Sequence, residues 1–141
     1  MADRIRVVIA DDQPLVRSAL RLILEGDPEL TVLGEAADGQ GALDAARRLR
    51  PDIILLDLHM PGRDGVWASE RISELAPDVK VLVLTAFDTD RLVASALRAG
   101  AVGFLLKDSS PEQILEAVRT AADGERPFSA AVLEQLVTTT A

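Results

Sequence analysis

At 141 residues the chain is long enough for one domain with a single well-buried core. A hydrophobic fraction of 48% excludes disorder as the default, and 3% aromatic residues with no Tyr leave Leu, Val, Ile and Ala to build that core. A formal net charge of −8 argues against gripping nucleic acid through phosphate contacts, and the lack of Cys excludes disulfides and thiolate metal sites. No apolar run approaches the ~18 residues of a membrane span and no signal peptide opens the chain, so a cytoplasmic protein without membrane partners is expected.

In chain order, five short apolar runs alternate with helical patterns. The first run, Ile5–Ala10, ends in Asp11-Asp12. Pro14 then stands where the first turn of a helix accepts it, after Asp12 or Gln13 as cap, and Leu15, Ala19, Leu22 and Ile23 fall on one face. A second run covers Leu30–Ala36, and a helix over Gly39–Leu49 closes at Arg50-Pro51. The third run, Asp52–Leu56, leads into Asp57. The third helix starts with Asp64 as N-cap and stops before Pro77, with Val66, Ser69 and Ile72 expected inward. Glu70, Arg71 and Glu74 follow Trp67 at helical spacing, which predicts an exposed indole that lies over the stem of Arg71 or, alternatively, anchors a partner.

The fourth run, Val79–Leu84, ends at Thr85, and a helix from about Asp88 to Gly100 turns Leu92, Val93, Ala96 and Leu97 inward. The fifth run, Val102–Leu106, ends at Lys107, and Ser110-Pro111-Glu112-Gln113 is a capping box for a helix to about Ala122. Residues 1–124 thus read as one domain, and residues 125–141 as a trailing helix or the start of a linker. Nearly continuous apolar runs separated by single helices predict a parallel sheet covered on both faces.

Four of the five runs end in polar residues at one edge, where open α/β sheets bind ligands. Three carboxylates, Asp11, Asp12 and Asp57, cannot all stay ionised there without a counter-charge, and a hard cation such as Mg²⁺ resolves this. Lys107 adds a cation suited to a phosphoryl oxygen and Thr85 one hydroxyl donor. Together they are the parts of a phosphoryl-transfer site. Singly each is ordinary: Asp12 as a helix cap, Asp57 before a loop, Thr85 as a strand end, Lys107 as a solvated charge.

With these motifs the chain resembles the receiver (CheY-like) domain of two-component response regulators over about residues 5–123. The residues that carry it are Asp11-Asp12, Asp52-Ile53-Ile54-Leu55-Leu56-Asp57, Met60-Pro61-Gly62, Asp64-Gly65, Leu84-Thr85-Ala86 and Gly103-Phe104-Leu105-Leu106-Lys107. The resemblance implies a flavodoxin-like, doubly wound five-stranded parallel sheet in order 2-1-3-4-5. It implies that Asp57 accepts a phosphoryl group from a histidine kinase. Mg²⁺, for which Mn²⁺ can substitute, would be held by Asp12, Asp57, less directly Asp11, and the main-chain carbonyl of His59. Thr85 and Lys107 would contact phosphoryl oxygens, and Phe104 would change rotamer as Thr85 moves. A catalytic role would extend only to the domain's own phosphoryl transfer and dephosphorylation.

Thr85-Ala86-Phe87-Asp88, Lys107-Asp108 and Ala121-Ala122-Asp123-Gly124-Glu125 resemble the NarL/FixJ branch, whose receivers precede a LuxR-type helix-turn-helix. No such domain follows within these residues, so the expectation is a piece of a longer protein, with a stand-alone receiver as the alternative; DNA would be reached only through a domain outside this chain. Receivers of this branch pair through the first and fifth helices, here with Arg17, Arg21, Glu116 and Arg119, a mixed-charge set that predicts a weak, salt-sensitive contact. A dehalogenase-like phosphatase would need a second Asp where His59 stands, and a flavin binder would need aromatics the chain lacks.

Overall fold

The five apolar runs pair side by side as parallel strands, and single helices carry the chain back between them. In the computed structural model, which describes residues 4–86 and 91–124, the strands are β1 (Ile5–Ala10), β2 (Leu30–Ala36), β3 (Ile53–Asp57), β4 (Lys80–Thr85) and β5 (Gly103–Leu106). The helices are α1 (Pro14–Glu25), α2 (Gly39–Leu49), α3 (Gly65–Leu75), α4 (Arg91–Arg98) and α5 (Pro111–Ala122). The sheet order is β2-β1-β3-β4-β5, as expected for a flavodoxin-like fold. Residues 87–90, which include the expected start of the fourth helix, and 125–141, expected as a trailing helix or linker, lie outside the described residues.

Successive strand residues point to opposite faces, so the apolar runs feed two cores. Val8, Ala10, Ile54, Leu56, Val81 and Val83 meet α2, α3 and α4 on one side. Val7, Ile9, Ile53, Leu55, Leu82 and Leu84 meet α1 and α5 on the other. β3 is buried along its whole length, which explains its unbroken hydrophobicity. Caps fix the helix starts: Asp64 accepts from Trp67 N at 2.9 Å, and Ser110 and Gln113 exchange capping-box bonds.

Two expected helix faces need correction. In α1 the sheet-facing residues are Leu20 and Leu24, both buried, while Leu15 and Leu22 are 86% and 77% exposed. In α3, Trp67 is half-buried and packs at the edge of the first core; the guanidinium over its ring is that of Arg63, 5.0 Å from the centroid. Arg71 instead pairs with Glu74 at 3.2 Å.

Candidate functional site

The switch point of the sheet lies between β1 and β3, because β1 leads out to β2 on one side while β3 continues to β4 and β5 on the other. Register brings the polar strand ends level. Ala10 pairs with Leu56, which sets Asp11 beside Asp57, and Asp57 pairs with Leu84 while Thr85 pairs with Leu106. Lys107 N donates to Thr85 O at 2.8 Å, extending the β4–β5 ladder and fixing where the lysine stem begins.

Carboxylate oxygens of Asp11, Asp12 and Asp57 all come within 4.8 Å of one another. Asp11 and Asp57 are buried and Asp12 is exposed. Lys107 Nζ stands 3.0 Å from Asp11 Oδ2 and 3.2 Å from Asp57 Oδ2. The ammonium is close enough to pair with both oxygens, yet neither receives a well-aligned hydrogen bond. Two buried carboxylate oxygens with acceptor capacity to spare, plus an exposed third carboxylate, are a donor set that fits a hard cation. The other oxygens are tied to main chain: Gln13 N donates to Asp11 Oδ1 at 2.8 Å and His59 N to Asp57 Oδ1 at 3.2 Å.

Burial, and then the charge of Asp11, raise the Asp57 carboxyl above the ordinary carboxylate range; Lys107 and the His59 N–H pull it partly back. Burial also works against the Lys107 ammonium, but the Asp11 and Asp57 carboxylates more than offset it, and its pKa is raised. The site therefore holds more negative charge than its one lysine neutralises.

Thr85 is buried beside this group, Phe104 is buried in the core that α2, α3 and α4 cover, and the His59 side chain is exposed. Arg17, expected on a pairing surface, instead turns inward: its Nη1 donates to the main-chain carbonyl of Asp11, and its Nε reaches Glu35 Oε1 at 3.1 Å. Nothing in the local sequence marked that contact. The glycine of Asp64-Gly65 has a steric reason, since a Cβ at Gly65 would stand 2.4 Å from Asp57 O.

The chain matches the response regulator receiver domain over residues 7–119. It belongs to that family. It is 43% identical over 138 residues to the transcriptional regulatory protein YxjL of Bacillus subtilis, covering 98% of this chain and 63% of that protein. With the nitrate/nitrite response regulator NarP of Escherichia coli the identity is 43% over 131 residues, 93% of this chain and 61% of NarP. Among solved structures, the receiver domain of NarL from Mycobacterium tuberculosis superposes with a TM-score of 0.84 at 39% identity, covering 88% of this chain and all of that one. The chain thus spans less than two thirds of the length of these curated relatives. Among the described residues of this receiver, no helix is long and apolar enough to cross a membrane, and every described peptide bond, Lys107–Asp108 included, is trans.

Proposed function

We propose that this receiver is switched by phosphorylation of Asp57 by a histidine kinase in the cytoplasm. The observation that carries the reading is the three-carboxylate cluster closed by Lys107 Nζ, 3.0 and 3.2 Å from two of its members. Asp12, Asp57, Asp11 and the His59 main-chain carbonyl would hold Mg²⁺, with Mn²⁺ as a substitute. Bound there, the metal would neutralise charge on the phosphoryl oxygens. One carboxylate oxygen of Asp57 bonds to phosphorus as the P–N bond to the kinase histidine breaks, and the imidazole leaves with that electron pair. Lys107 swings its flexible stem from the carboxylates toward a phosphoryl oxygen, and the Thr85 hydroxyl donates to another. Phe104 changes rotamer as Thr85 moves, which changes the surface over β4 and β5. Residues 1–124 form the receiver, and 125–141 lead toward an output region of a longer protein that binds DNA and regulates transcription.

Incubation with acetyl phosphate and Mg²⁺, followed by mass spectrometry, should place one acid-labile phosphoryl group on the peptide containing Asp57, and EDTA should prevent it. Asp12→Ala should weaken Mg²⁺ binding more than Asp11→Ala, because Asp12 is exposed and unburdened while Asp11 already serves Gln13 N and Lys107. Modification of a different peptide, or the reverse order in a metal titration, would contradict this assignment.

A second copy of the chain would pair with the first through α1 and α5. The support is apolar: Leu15 and Leu22 are exposed, beside a groove of about 250 Å³ lined by Val16, Ala19, Ile23, Leu106 and Ile114. The arginines expected to mediate this contact are engaged within the chain, Arg17 and Arg21 by Glu35, and Arg119 by Asp27 and Glu29. Pairing should therefore depend less on salt than their charges alone suggest. Sedimentation should show association in beryllofluoride that Leu22→Glu weakens; a monomer at high concentration with and without beryllofluoride removes the contact.

A further inference from the structure

The loop between β3 and α3, residues 58–64, carries His59 beside the carboxylates and is held at both ends. At its start Leu58 N donates to Leu84 O at 3.2 Å, and Gly65 N donates back to Leu58 O at 3.0 Å. The far anchor comes from another part of the chain. Gly39 N, at the first residue of α2, donates to Arg63 O at 2.8 Å. Between these anchors His59, Pro61 and Gly62 are exposed, and Gly62 has φ +71 with nothing within 4 Å of a Cβ.

Gly39 itself is buried. A Cβ there would stand 2.2 Å from Arg63 O, 2.7 Å from Arg63 C and 2.8 Å from Arg63 Cβ, so a side chain and this hydrogen bond cannot coexist without moving the loop. The bond also serves the helix. The first N–H groups of a helix have no internal partner. Asp38 satisfies Gly41 N at 2.7 Å, and the Arg63 carbonyl satisfies Gly39 N. Breaking the contact therefore costs both sides a partner.

We infer that Gly39 is a positioning residue for the phosphorylation site, latching the β3–α3 loop so that the His59 backbone stays against Asp57. This rests on the reading of Asp57 as phospho-acceptor given above. The latch acts through the main chain: a fixed Arg63 carbonyl and the buried Met60 side chain set where the stretch 59–62 can lie, and His59 N is bonded to Asp57 Oδ1 at 3.2 Å. Residues that orient metal ligands from outside commonly change metal affinity by about 10–100-fold when altered. The loop end also has an optical reporter, because Arg63 lies over the ring of Trp67, the one tryptophan in the chain.

The test compares Gly39→Ala with Gly41→Ala. Gly41 sits in the same turn of α2, but its Cβ would meet Asp38 Oδ1 at 3.2 Å and Ala36 Cβ at 3.4 Å, not the loop. Mg²⁺ affinity is measured by calorimetry with no phosphodonor present, and Trp67 emission is recorded in the metal-free protein. Gly39→Ala should weaken Mg²⁺ binding about tenfold and shift the emission, while Gly41→Ala leaves both near wild type. Wild-type affinity and emission in Gly39→Ala would overturn the inference. Should Gly39→Ala not fold, hydrogen exchange in the wild-type protein decides. The Gly39 amide should be protected, and Mg²⁺ should slow its exchange further, since coupling between two sites is reciprocal. An unprotected Gly39 amide with and without Mg²⁺ would overturn it equally. If the wild-type protein takes no phosphoryl group, the reading of Asp57 fails instead, whatever the Gly39 amide does.

Discussion

Replacing Asp57 with Asn should abolish uptake of the acid-labile phosphoryl group and raise the melting temperature of the metal-free protein at neutral pH. The loss follows because a carboxamide offers no nucleophilic oxygen. The gain follows from electrostatics. Burial and the facing Asp11 charge raise the Asp57 pKa in the folded chain. A raised carboxyl contributes stability that is fully present below its unfolded pKa, ~3.9, and that is lost as pH rises through the folded value. At neutral pH the ionised group is therefore a cost, which Asn avoids while keeping an oxygen for His59 N and Lys107. Each kcal/mol relieved should raise Tm by about 3–5 °C in a domain of this size. The advantage over wild type should shrink toward zero below about pH 4, where wild-type Asp57 is protonated in both states. Melting curves across pH, with and without Mg²⁺, check this: Mg²⁺ should stabilise the wild type far more than the variant. Undiminished labelling would move the nucleophile elsewhere. A lower Tm at neutral pH would mean that the Asp57 charge holds the fold together.

The same burial explains why the cluster was legible in the sequence. Apolar strands covered on both faces leave no reason for Asp, Thr or Lys except at their ends, so Asp11, Asp57, Thr85 and Lys107 stood out against Val, Ile and Leu. The strand limits were less legible. β3 and β4 end at Asp57 and Thr85, one residue beyond the apolar runs, because backbone ladders are indifferent to side-chain polarity. The face of α1 was ambiguous for a different reason. Leu15, Ala19 and Leu22 form one apolar stripe and Val16, Leu20 and Leu24 another, and periodicity alone does not say which meets the sheet. For Trp67 the error was one of direction. Helical side chains lean toward the N-terminus, so the indole reaches back to Arg63, four residues earlier, and not forward to Arg71. Gly39 gave no local sign of its contact, since Arg63 lies on a separate loop and only tertiary packing brings the two together.

Lys107→Ala should cost the metal-free receiver about 3 kcal/mol, a fall in Tm of roughly 10 °C. The ammonium is the counter-charge lying against both Asp11 Oδ2 and Asp57 Oδ2, at 3.0 and 3.2 Å. Without it two buried carboxylates face each other. Removing one partner of a buried ion pair commonly costs about 3–5 kcal/mol, and the lower end applies here because Lys107 is only partly buried and a carboxyl can escape by binding a proton. That escape sets the pH dependence: the loss should be largest at neutral pH and should fade as pH drops through the raised carboxyl range. Saturating Mg²⁺ should restore much of the lost stability, because a divalent cation among the same oxygens neutralises the same charge. Adding Asp57→Asn to Lys107→Ala should also recover stability, so the double variant should melt well above Lys107→Ala alone. Thermal melts of the three variants test this directly. A loss under about 1 kcal/mol at neutral pH, or no recovery in the double variant, would show that Asp11 and Asp57 do not depend on Lys107 for their charge balance.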